Sequence, residues 1–412
     1  MRAYVLKHYG GPEGSQLMDV PAPTPRPRDI LVEVHAAGLN PVDYKFRQGK
    51  LRAILRPKLP FVLGNELAGE VIAVGSDVKR WRVGDRVFAR VAKDRGGALA
   101  EQACVDEDHA ALMPRNLDFT TAAAVPLAGL TALQALRDEL GVKPGQKVFI
   151  SGGAGGVGTF AIQTAKWLGA HVTTTASKRG EALVRSLGCD EVIDYTTQDI
   201  SKAGGRFDAG FDLIGGKTLE QMFEIMKRET KIVSIAGVPE PQTAIKDLGG
   251  RRALAVVFGI ISYGIRSRAR RAGVSYRFLF MHASGTELAE LAGLIEQGKL
   301  KVIIDKIYPF AKISEALAYV ESGHAKGKVV IPMSDGRTKG FPPYTVRKNY
   351  VIADRLDNQE QGCGPSLSTL TTGVSTPCST PQNRPPALSL VASRRRLIFL
   401  PPIFPHRVGW ST

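Results

Sequence analysis

The chain has 412 residues, 43% hydrophobic, 7% aromatic and 23% charged, with a formal net charge of +16. That length holds two or three domains, and that composition excludes a collagenous or wholly disordered chain. The charge does not indicate nucleic acid, because +6 lies in residues 335–412 and +7 in 246–277, leaving +3 for the rest.

Residues 1–122 read as β-rich. Alternating runs at Ile30–His35, Ala68–Val74 and Arg86–Arg90 are separated by Gly, Pro and Asp turns. The pattern changes over 123–290. Short apolar strands are expected at Val148–Ser151, Val172–Ala176, Glu191–Ile193, Phe211–Ile214 and Ile232–Ile235, with helices at Val157–Leu168 and Glu181–Leu187 between them. Buried strands alternating with helices predict an α/β domain with a doubly wound parallel sheet. Residues 291–333 add a helix from Glu287 to Glu296, a strand at Val302–Tyr308, a helix at Ser314–Gly323 and a strand at Lys328–Ile331. From 334 to 412 the chain turns rich in Pro, Ser and Thr, and is expected to be a mostly disordered extension.

The strand ending at Ser151 runs into Gly152, Gly153, Ala154, Gly155, Gly156, Val157 and Gly158. Gly153, Gly155 and Gly158 fit G-x-G-x-x-G, and the flanking strand and helix make this a dinucleotide turn rather than a chance match. Gly153 permits the tight turn, Gly155 the approach of a pyrophosphate, and Gly158 close helix–strand packing. The next strand ends in Ser177, Lys178 and Arg179, with no acid before Glu181. A hydroxyl beside two cations suits a 2′-phosphate, so NADPH is the expected cofactor rather than NADH.

The cysteines Cys104, Cys189, Cys363 and Cys378 form no CxxC pair, so neither a disulfide framework nor a zinc lobe is expected. No run reaches the roughly 18 apolar residues of a membrane span, and MRAYVLKHYGG lacks a signal-peptide core. A reducing, cytoplasmic setting is expected. His35, His109 and His324 share no ligand spacing and read as structural or surface residues.

Several stretches between Met1 and Met333 together resemble the zinc-free, quinone oxidoreductase-like branch of the medium-chain dehydrogenase/reductases. They are AAGLNPVDYKFRQGK, LGNELAGEVIAVG, WRVGDRVFA, PLAGLTAL, SGGAGGVG, LGCDEVIDY and AKGKVVI. The resemblance implies a GroES-like catalytic domain (1–122, completed by 291–333) with a Rossmann domain between. It also implies a homodimer acting on a small quinone or enone. Zinc-containing relatives carry Cys and His where Asn40 and Asn65 stand here, and amides are poor zinc ligands. In the alkenal and enone reductases that the chain resembles, the NPVDxK stretch faces the nicotinamide. Carried over, this makes Asn40, Asp43, Tyr44 and Lys45 the candidate catalytic residues. Lys45 would steady a developing enolate oxygen, and Tyr44 would donate a hydrogen bond or proton. Further matches place Thr131 at the nicotinamide end, Tyr195 at the 2′-phosphate, and Gly237 and Lys328 along the cofactor. Two rivals stand beside this reading: a zinc alcohol dehydrogenase, and a non-catalytic NADPH-binding protein, free or membrane-associated through 251–277.

Residues 251–277 place an apolar run, Ala253–Ile265, among arginines. The favoured expectation is a helix packed on the Rossmann sheet with its arginines in water. The alternatives are contact with an anionic membrane surface, a cover over the substrate cleft, or an oligomer interface.

Overall fold

The computed structural model describes residues 1–52, 54–203 and 206–333. The extension expected to be disordered lies outside the described residues, as do Cys363 and Cys378. Strand β1 (Arg2–Leu6) pairs antiparallel with β2 (Ser15–Asp19). Next come β3 (Asp29–Leu39) and α1 (Pro41–Arg47), followed by β4 (Phe61–Val62), which pairs with β1. Strands β5 (Glu66–Val74), β6 (Arg86–Arg90), β7 (Gln102–Asp106) and β8 (Ala110–Leu112) complete the first stretch. On β3, Ile30, Val32 and Val34 are buried while Glu33 is exposed, the two-residue period of a strand with one wet face.

A short helix, α2 (Phe119–Ala122), leads to α3 (Pro126–Leu133), which opens on proline, where the missing N–H costs nothing. Then β9 (Lys147–Ile150), α4 (Gly156–Trp167), β10 (His171–Ala176), α5 (Lys178–Ser186) and β11 (Glu191–Asp194) alternate. They are followed by β12 (Phe207–Asp212), α6 (Gly216–Ile225) and β13 (Met226–Ser234). Helices α7 (Arg252–Ile261) and α8 (Tyr263–Arg271) precede β14 (Val274–Phe278) and α9 (Gly285–Glu296). The six strands form one parallel sheet in the order β11-β10-β9-β12-β13-β14. The order reverses between β9 and β12, the switch point at which such sheets bind ligands.

The chain then returns to the first fold through β15 (Ile304–Ile307), α10 (Ile313–Glu321) and β16 (Lys328–Pro332). Strand β16 lies antiparallel to β3, with Val329 opposite Leu39, in the sheet β15-β16-β3-β5-β6-β8. Helix α9 runs across position 290, where the sequence divides the Rossmann part from the final segment. It packs on α3, where an added Cβ on Gly129 would stand 3.0 Å from Leu291. Two apolar cores result. One is centred on β9, α3, α4 and α9, the other on β3, β5, β6 and β16.

The segment 251–277 departs from its favoured expectation. It forms two helices and an edge strand, not one packed helix. Along α7 only Phe258 is buried, while Val256, Val257, Ile260 and Ile261 are exposed.

Candidate active site

The glycine turn joins β9 to α4 at the switch point. Gly152 has φ +70°, a left-handed conformation that glycine adopts without strain. An added Cβ on Gly153 would lie 2.3 Å from Thr174 Oγ1, and one on Gly158 would lie 2.3 Å from the Gly152 carbonyl oxygen. A side chain closes the space at Gly153 and backbone closes it at Gly158, so neither position has room for a larger residue. Gly155 caps α4, so the open N–H groups of that helix and its positive dipole end point out of the turn. The residues therefore fit a bound pyrophosphate. Ala154 touches α5 at Gly180, and Val157 packs against the Rossmann core.

A buried carboxylate that the motif reading missed shapes this edge. Asp212, at the end of β12, accepts from Ser151 Oγ (3.0 Å), Ser234 Oγ (2.6 Å) and the amides of Ile214 and Gly215. Ser234 Oγ in turn accepts from the Gly237 amide at 2.8 Å. An added Cβ on Gly237 would strike Tyr276 Oη at 2.4 Å. Three strand ends are thus tied around one anion, which a chain-order motif search does not see.

Strands β10 and β11 run in register, with Ala176 opposite Asp194. This brings Ser177, Lys178 and Arg179 beside Tyr195, as the sequence anticipates for the 2′-phosphate. Lys178, Arg179 and Tyr195 are exposed, and Ser177 is the N-cap of α5. Thr131 faces inward: its hydroxyl donates to the Leu127 carbonyl at 2.7 Å and the residue is 3% exposed.

The NPVDYK stretch forms α1. The Asn40 amide donates to Asp43 Oδ2 at 2.8 Å, one half of a capping box that fixes the helix start. Asp43 is fully buried, and its Oδ1 accepts from Asn65 Nδ2 at 2.6 Å. Burial pushes the Asp43 carboxyl up to about 6, against the pull of its hydrogen bonds from Asn65 and Asn40. Asn40 Nδ2 donates to Glu66 Oε1 at 2.6 Å, and the Leu127 amide donates to Glu66 Oε2 at 2.6 Å. Lys328 Nζ donates to Glu66 Oε1 (2.7 Å), to the Leu39 carbonyl (3.0 Å) and to Asn40 Oδ1. Its three hydrogens are all committed inside the protein. The sequence placed Lys328 along the cofactor, but its ammonium faces the Glu66 network and only its stem meets the glycine turn. Arg90, buried at the rim, donates to the Asn65 carbonyl at 2.9 Å.

The far end of α1 is held by Arg47, which is 1% exposed and donates to Glu321 of α10 at 2.8 Å. Between these anchors stand Tyr44 and Lys45, both half-buried. Among the described residues neither side chain makes a hydrogen bond or ion pair. Burial raises the Tyr44 phenol above its usual range and lowers the Lys45 ammonium below its own. Helix geometry sets Lys45 about 160° around the axis from Asp43, so one faces away from the network that the other joins.

Zinc does not fit these residues. The Asn40 and Asn65 amides are both engaged by protein partners, and a lysine ammonium enters the same network. Among the described residues no three His, Cys, Asp or Glu converge. Cys104 and Cys189 are buried thiols whose burial pushes them up to about 11. His35 stacks on Phe119 with ring centres 4.1 Å apart, His109 is half-buried, and exposed His324 meets the Ser322 hydroxyl.

A GroES-like barrel fold carrying a Rossmann sheet with a glycine turn at its switch point defines an oxidoreductase class. Residues 26–115 match the model described as the alcohol dehydrogenase GroES-like domain, and 187–331 match the zinc-binding dehydrogenase model. The NADPH-dependent alkenal/one oxidoreductase of Arabidopsis thaliana is 36% identical over 343 residues, covering 80% of this chain and 79% of that protein. The quinone oxidoreductase from Coxiella burnetii superposes with a TM-score of 0.71 at 34% identity, over 81% of this chain and 99% of its own. The Escherichia coli quinone oxidoreductase complexed with NADPH gives 0.68 at 28% identity, over 81% of this chain and 100% of its own. The chain belongs to the medium-chain dehydrogenase/reductase superfamily, among its quinone oxidoreductase and alkenal/enone reductase members. It is an enzyme, an NAD(P)H-dependent oxidoreductase.

Proposed function

We propose that the chain is an NADPH-dependent reductase of quinones or α,β-unsaturated carbonyls that works without zinc. One observation carries the reading. An added Cβ on Gly156 would stand 3.0 Å from Lys328 Cδ. The phosphate turn and the network that holds α1 therefore touch, which supports a cofactor bound beside the catalytic helix. When bound, NADPH supplies a hydride to an electron-poor carbon of the substrate.

The chain's own residues do the rest. The amides of the glycine turn hold the pyrophosphate, and Ser177, Lys178 and Arg179 hold the 2′-phosphate with Tyr195 beside them. Lys45, with no protein partner to compete, presents a partly desolvated cation to oxygen that gains negative charge. Tyr44, whose burial makes it a weaker acid than a free phenol, is the adjacent hydrogen-bond donor. Glu66, Asn40, Asp43 and Lys328 fix the helix that carries both. The names of the relatives support the substrate classes. In the six-stranded sheet β14 is an edge strand, and its open side, available to the same strand of a second copy, supports a homodimer.

The test is NADPH oxidation against a panel of enones and quinones, with zinc measured on the same preparation after dialysis. We expect turnover with at least one member of each class at far less than one zinc per chain. Tight NADPH binding with no turnover of any acceptor would make this a binding protein. Turnover that follows zinc content would return the metal mechanism.

A further inference from the structure

Helix α7 is amphipathic in the inverted sense. Arranged at 100° per residue, Ala253, Val256, Val257 and Ile260 fall on one side, and all four are exposed. Val256 is 66% exposed and Ile260 72%. The opposite side buries Phe258. A soluble surface helix turns its apolar stripe inward, and an outward stripe of this kind marks a docking surface.

The surroundings say what docks. From Leu248 to Thr286 the sequence contains no Asp or Glu. Arg252 begins α7, and Arg266, Arg270 and Arg271 follow on α8. Among the described residues these four form no ion pair, unlike Arg268, which meets Glu220. Tyr263, 64% exposed, stands where the two helices join. The join is fixed by buried Ser262, whose hydroxyl donates to the Phe258 carbonyl at 2.5 Å. An apolar stripe edged by an aromatic and by unpaired arginines matches the layering of a lipid interface: acyl chains below, anionic headgroups above. The helix is about 15 Å long, right for lying in that interface. No described helix is long and apolar enough to cross a membrane. A second copy is a poor occupant, because a two-fold contact through this face would bring the unpaired arginines of both copies together.

We propose that α7 and α8 form a peripheral membrane-binding face for anionic lipid, with α7 inserting its Val256–Ile260 stripe and the α8 arginines contacting headgroups. The full-length protein should float with vesicles of phosphatidylcholine and phosphatidylglycerol, and not with phosphatidylcholine alone, and salt should weaken the binding. Val256→Asp/Ile260→Asp should abolish flotation. Arg270→Ser/Arg271→Ser should weaken it about fivefold for each arginine removed. A charge-matched control, Lys299→Ser/Lys301→Ser, lies in the exposed turn between α9 and β15 and should leave binding unchanged. Thermal unfolding of every variant checks that the fold survives. The proposal is overturned if the protein does not bind anionic vesicles at low salt. It also falls if the control weakens binding as much as the arginine variant. A third contrary result is that the Asp variant turns a dimer into a monomer without changing vesicle binding, which would give the stripe to a second copy.

Discussion

The glycine turn after β9 and the network around Glu66 meet at Gly156 and Lys328, yet they are built on opposite plans. The turn is contiguous: Gly152 to Gly158 do their work as backbone, and what matters is the side chains they lack. The network is discontinuous. Its members come from the start of α1, the start of β5, the start of α3 and the start of β16, and Lys328 meets Asn40 across 288 residues of sequence. The turn binds by offering open N–H groups. The network turns inward, because Glu66, Asn40, Asp43 and Lys328 spend their hydrogen bonds on protein partners. One region has the form to receive a ligand, and the other holds a helix in place.

The largest expected effect breaks the second plan. Lys328→Met strips an ammonium from buried Glu66 and should cost about 3–5 kcal/mol of unfolding free energy, read by denaturant titration. Adding Glu66→Gln should recover part of that loss, because the uncompensated charge is gone. A loss below about 1 kcal/mol for Lys328→Met would mean the pair holds nothing.

Next come the phosphate contacts of the first plan. Lys178→Ala and Arg179→Ala should each weaken NADPH by about 1.5–3 kcal/mol while leaving NADH nearly unchanged, measured as the ratio of dissociation constants. If neither variant lowers that ratio, the 2′-phosphate is held elsewhere. Gly158→Ala places a Cβ 2.3 Å from a backbone oxygen and should cost about 1–3 kcal/mol in stability, with weaker binding of both nucleotides.

A pH dependence sharpens the comparison further. Asp43 has a folded pKa of about 6 against an ordinary 3.8. The native state therefore holds its proton where the unfolded state releases it. From this group, stability falls as pH rises through that window, and its destabilising contribution is complete above about 6. Asp43→Asn should flatten that part of the melting-temperature profile, and a decline of unchanged slope would assign it to another group.

The same contrast explains what could be read in the sequence. Strands β9 to β13 alternate with helices in an apolar rhythm, so the doubly wound sheet was legible, as was the turn whose residues are neighbours in the chain. Tyr195 came from the family resemblance, and the parallel register of β10 and β11 is what sets it beside Lys178 and Arg179. Glu66 stood in plain view within LGNELAGE, and its signal was an acid inside an apolar run. Its partners could not be read, since side-chain pairing across hundreds of residues leaves no local pattern. Asp212 was hidden for the same reason. Helix α7 misled because an apolar run among arginines has one composition whether its stripe turns inward or outward.

The central claim is that a protein cation on α1, held by a buried network, takes the place of a metal at the substrate oxygen. Its most direct test is the single-turnover rate of NADPH oxidation by an enone in Lys45→Ala, with NADPH affinity measured on the same enzyme. Lys45 acts on charge that develops during reaction, so the rate should fall about 10²–10³-fold while NADPH affinity stays within a factor of about two. A wild-type rate in that variant, or a loss confined to NADPH affinity, would contradict the account.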